Sequence, residues 1–76
     1  MIVTSGVFSG VGYQVEASEL NSEIVNVSYQ NPTKTRRKMC IAATGIEWTG
    51  VLEPESNGML PVDSGIPAMT CSVSLS

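Results

Sequence analysis

Histidine is absent from this 76-residue chain, and positive charge is nearly absent. Lys34, Arg36, Arg37 and Lys38 are the only bases, and they fall within five consecutive positions. Without histidine, no side chain titrates near neutrality unless its surroundings shift it. No lysine lies in an apolar run that would depress its pKa, so general acid–base chemistry lacks a base. Cys40 and Cys71 are the only cysteines, too few to close a four-ligand zinc site in a chain without histidine. Charged residues make up 14%, against about 25% in ordinary domains. The large apolar groups are also few: Phe8, Tyr13, Tyr29 and Trp48 are the aromatics, and Leu20, Leu52, Leu60 and Leu75 the leucines. The expected core is therefore thin and made largely of Val, Ile, Met and Ala.

Other absences narrow the class. A net charge of −3 argues against a free nucleic-acid binder, and equally against an anionic membrane surface as the main partner. No apolar run approaches the roughly 18 residues of a membrane span. The start, Met1-Ile2-Val3-Thr4-Ser5-Gly6, lacks the basic and apolar regions of a signal peptide, which predicts synthesis in the cytoplasm. The glycines of Gly6-Val7-Phe8-Ser9-Gly10-Val11-Gly12 have neither the dinucleotide nor the P-loop spacing, and read as a turn or bulge. Glu53 and Glu55 flank Pro54 and read as solvated turn charges. Asn26-Val27-Ser28 matches the N-glycosylation pattern, with no secretory signal beside it. The chain is expected to be non-enzymatic, with no cofactor and no metal.

What is present has period two. Val11, Tyr13, Val15 and Ala17 alternate with polar or small residues. So do Val25, Val27 and Tyr29, and again Met69, Cys71, Val73 and Leu75. One apolar and one polar face is the mark of a half-buried strand. Met1 to Phe8, Arg37 to Ala43 and Ile46 to Leu52 are three further candidates. Gly45 and Gly50 permit a bulge or tight bend in the last of these. Asn31-Pro32-Thr33 separates two strands, because proline cannot donate to a ladder. Pro54-Glu55-Ser56-Asn57-Gly58 and Pro61-Val62-Asp63-Ser64-Gly65 read as turns. The fold predicted is all-β: one domain over residues 1–76, a small antiparallel β-sandwich or partly closed barrel of five to six strands.

The basic cluster is the one candidate site. In an extended chain Lys34, Arg36 and Lys38 project to one side over about 13 Å. Arg37 projects to the other, at the rim of the strand that buries Met39 and Ile41. The plain alternative is a solvated junction that guards a strand edge. A nucleic-acid role is disfavoured, because no aromatic residue in the window stacks on bases. A protein partner fits better: arginine makes bidentate contacts to carboxylates, and the seven acids of this chain show that another copy would supply them. Cys40 and Cys71 read either as two buried thiols or as a disulfide. A bridge would close a loop of about thirty residues and contribute about 3–4 kcal/mol. Arg37 and Lys38, beside Cys40, would lower its pKa in an accessible thiol, but the strand pattern points to burial.

From Asn31 onward one pattern runs through Asn31-Pro32-Thr33, Arg36-Arg37, the apolar strand Met39 to Ala43, Thr44-Gly45, Gly58-Met59-Leu60-Pro61 and Gly65. It resembles small β-sandwich accessory proteins of tailed-phage virions, with Thr44 where asparagine is usual. The resemblance implies a structural protein: a virion subunit, made in the host cytoplasm, that decorates or cements a capsid or tail lattice. Its partners would be copies of itself or a major capsid or tail protein. It transfers no catalytic or ligand residue. Two other classes remain open at this point, a small monomeric binding module such as a phage-encoded inhibitor of a host protein, and a nucleic-acid-binding β-barrel.

Overall fold

The computed structural model describes residues 1–63 and 65–76. It is an all-β sandwich of two antiparallel sheets, open at its sides and not closed into a barrel. One sheet has four strands in the order β1 (Ile2–Phe8), β2 (Val11–Ala17), β3 (Ile24–Asn31), β6 (Ser56–Leu60). The other has three, in the order β5 (Ile46–Leu52), β4 (Arg37–Ala43), β7 (Ser72–Leu75). The alternating segments make the facing layers. Val11 and Val15 on β2, Val27 on β3, Met39 and Ile41 on β4 and Leu52 on β5 are fully buried. Trp48 supplies the one bulky aromatic of the buried core.

Seven strands form among the described residues, against the five or six expected. The additional one, β6, occupies Ser56–Leu60, part of which reads as a turn in the sequence. The turn is tighter and earlier, with Glu55 at φ 50°. Local propensity fails here because pairing overrides it. Gly58 lies opposite Tyr29, whose ring covers the glycine and replaces the missing side chain. At the other edge of the sheet Tyr13 covers Gly6 in the same way, and both rings pack against the core.

Two more differences have local causes. Val25 was expected to point inward with Val27 and is 55% exposed. Ala17 pairs with Ile24 and Glu16 with Asn26, so Val25 is the extra residue of a bulge and is rotated out of the core. The last strand begins at Ser72 and not at Met69, because Ala68–Thr70 forms a turn of 3-10 helix. Met69 is consequently 88% exposed. Gly50 permits close packing instead of a bulge: a Cβ there would lie 2.6 Å from the Trp48 ring and 2.9 Å from Leu60. Gly45, at φ 74°, forms the β4–β5 turn. The expected turn over 61–65 includes Ser64, which lies outside the described residues.

Candidate functional site

Four pieces of chain meet at one end of the sandwich: the Ser9-Gly10 turn, the β3–β4 connection at 32–36, the β5–β6 connection at 53–55, and Ser76. Asn31 organises them. Its side chain is fully buried at the end of β3. Its Nδ2 donates to the carbonyls of Thr35 (3.1 Å), Leu52 (3.3 Å) and Glu53 (3.1 Å). Its Oδ1 accepts from the Thr33 amide (3.1 Å) and the Thr33 hydroxyl. A buried amide is tolerated only when its hydrogen bonds are made, and this one joins the end of β5 to the loop that carries the bases. The Thr33 carbonyl accepts from the Glu55 amide at 2.8 Å, which ties the same loop to the β5–β6 turn. In the sequence Asn31-Pro32-Thr33 reads as a strand break and as the start of the pattern that runs to Gly65, with no role for the Asn31 side chain. The available signal was an Asx turn, which Asn before Pro-Thr favours; the reach to Leu52 and Glu53 is tertiary.

The basic residues are brought together but do different things. The chain is bent, not extended, over residues 33–35, so Lys34 does not continue the alternation of β4. Lys34 is exposed on this loop. Arg36 pairs with Glu53 at 3.5 Å, with both side chains largely exposed. That is the only ion pair among the described residues. Arg37 is half-buried beside the core strand and donates to the carbonyls of Ser76 (3.1 Å) and Ser9 (3.4 Å). Lys38 is exposed, and its backbone pairs with that of Ser76. Counting Glu53 and Glu55, which share this end, four basic side chains against two acidic ones leave +2 from side chains. The adjoining groove, about 430 Å³, is lined by Gln30, Asn31, Pro32, Glu55, Ser56 and Asn57 and by no base. The bases therefore present a surface and do not converge on a small anion.

The cysteines are apart, and both thiols are free. Cys40 pairs with Ser74 on the outer face of β4, between the inward Met39 and Ile41. Cys71 packs against the core, on the inner side with Val73 and Leu75. The register puts Cys71 three positions along β4 from Cys40, about 10 Å away. A disulfide needs Cα atoms within about 7 Å, so this arrangement holds no bridge. The cationic neighbours of Cys40 do not govern its pKa. The Cys40 thiol donates to Glu47 Oε1 at 3.2 Å, and that hydrogen bond, with desolvation and the carboxylate charge, raises its pKa. Burial raises the Cys71 pKa.

Among the described residues no three His, Cys, Asp or Glu side chains are grouped to hold a metal ion. Comparison of the chain with protein-family models, curated proteins and solved structures returned no match.

Proposed function

We propose that this chain is a non-enzymatic structural subunit that docks through the Asn31 end of the sandwich onto an acidic protein surface. The setting that fits its sequence resemblance is a virion, where it would decorate or cement a capsid or tail lattice. The observation that carries the reading is the satisfied, fully buried Asn31 beneath the basic loop. A loop held this way keeps its backbone in one arrangement, so little backbone ordering entropy opposes docking. Lys34, Arg36 and Lys38 set orientation against carboxylates, while Arg37 holds the platform together from within.

The test is recovery with particles. Virions purified from a culture that produces this chain should contain it in a fixed ratio to the major structural protein, measured by mass spectrometry. The double variant Lys34→Ser/Lys38→Ser should keep the fold and bind particles about three- to tenfold more weakly, because each exposed ion pair contributes at most about 1 kcal/mol. Recovery only in the particle-free fraction overturns the lattice reading and favours a monomeric binding module.

A further inference from the structure

β1 is an edge strand whose one guard among the described residues is a bulge near its start, between Ile2 and Thr4. Among the described residues its only ladder partner is β2. Its seven residues, Ile2–Phe8, include no charge and no proline. Natural edges of this length are usually blunted by one or the other. The other edges are blunted: β6 has five residues between Pro54 and Pro61, β7 has four and follows Pro67, and β5 carries Glu47. On β1, Val7 is 77% and Phe8 52% exposed.

The turn that follows β1 decides which of its backbone groups are free. Ser9 (φ 51°) and Gly10 (φ 84°) both have positive φ, so they form the two-residue hairpin turn that favours close pairing of Phe8 with Val11. Antiparallel pairs alternate between bonded and non-bonded. Phe8, Gly6 and Thr4 therefore turn their N–H and C=O groups toward β2. Ser5 and Val7 turn theirs outward, to an edge with no ladder partner.

We propose that β1 pairs antiparallel with β1 of a second copy about a two-fold axis at Gly6, making one continuous eight-stranded sheet. In this register Ser5 of each copy lies opposite Val7 of the other, and the outward groups exchange four hydrogen bonds. Side-chain faces agree as well. Ser5 and Val7 share the outer face, and Thr4 lies opposite Phe8 of the partner on the inner face, the side of Val11 and Val15. Gly6 meets Gly6 at the axis as a non-bonded pair, where backbones approach to about 4.5 Å. Shifting the axis by two positions toward the N-terminus runs the ladder into the bulge between Ile2 and Thr4. The occupant is a second copy because the strand complements itself in this register and has no charge for a charged partner to read. The pairing uses none of the basic side chains.

Five residues on each side make a small interface, so half-association is expected at roughly 0.1–1 mM. Sedimentation velocity from about 10 μM to about 1 mM brackets that range. The natural chain should shift from monomer to dimer as concentration rises. Val7→Lys adds charge at the axis, and Val7→Pro removes an outward amide that β2 does not use. Both should remain monomeric across the range, with Val7→Lys retaining the β circular-dichroism spectrum of the natural chain. High salt should leave the dimer intact or strengthen it, since the strand is uncharged and each copy carries −3. A natural chain that stays monomeric throughout overturns the proposal. So does a dimer that Val7→Lys leaves unchanged, or one that high salt dissolves, which would move the contact to the basic end.

Discussion

Asn31 shows how much one polar side chain decides here. It is the only buried polar residue among those described, and all five of its hydrogen bonds stay within the end of the sandwich. Asn31→Ala would leave the Thr35, Leu52 and Glu53 carbonyls and the Thr33 amide short of a partner. A buried group left unsatisfied costs about 1–3 kcal/mol, and water would reach the outermost of these. The expected loss is about 2–3 kcal/mol, or roughly 10–20 °C in Tm for a chain of this size, read by thermal denaturation. A drop of only a degree or two would show that the loop holds itself. Gly50 is a second residue whose role is spatial: Trp48 and Leu60 leave no room for a Cβ, and nothing in the alternation of β5 marks it.

The connection from β3 to β4 is the element that matters most for the proposed docking, and its two arginines are not equivalent. Arg36 makes an exposed pair with Glu53, and such pairs contribute about 0–1 kcal/mol. Arg37 reaches two carbonyls on separate segments, at Ser9 and Ser76. Arg36→Ser should therefore change stability by less than about 1 kcal/mol, and Arg37→Ser should cost about 1–2 kcal/mol, after discounting charge-assisted bonds for their exposure. Urea unfolding of the two variants separates them, and equal losses would contradict the division of labour. The contrast was legible in part. Alternation from Met39 and Ile41 puts Arg37 on the core side, but the bend at 33–35 that takes Lys34 out of line depends on Asn31 and has no signal in the spacing of the bases. β6 was illegible for a related reason: Ser-Asn-Gly favours a turn, and the strand exists because β3 offers it an edge and Tyr29 covers Gly58.

For the molecule as a whole, the thiols make stability depend on alkaline pH. Both Cys40 and Cys71 ionise at higher pH in the fold than their ordinary value of 9.0. The fold thus favours the protonated form, through the Glu47 hydrogen bond in one case and burial in the other. This stabilisation is complete below pH 9, and it is lost as pH rises through the folded pKa values. The natural chain should lose more Tm between pH 8 and pH 11 than Cys40→Ser/Cys71→Ala, compared by calorimetry under reducing conditions. Parallel pH profiles would remove the thiols from the account. Among the described residues eleven buried apolar side chains form the core, with Trp48 the one bulky aromatic. A core this thin leaves little reserve at such a length.

Legible in the chain alone were the all-β class, the inward faces of β2 and β4, and the confinement of all positive charge to one stretch. These follow from period-two alternation and composition, which are local. Tertiary structure alone decided the pairing of β6, the bulge that exposes Val25, the separation of Cys40 from Cys71 onto opposite faces, and the five-bond role of Asn31. Each of these depends on which strand lies beside which, and that is set by partners distant in the chain. The edge position of β1 belongs to both: its lack of charge is in the sequence, and its lack of a second ladder partner among the described residues is in the fold.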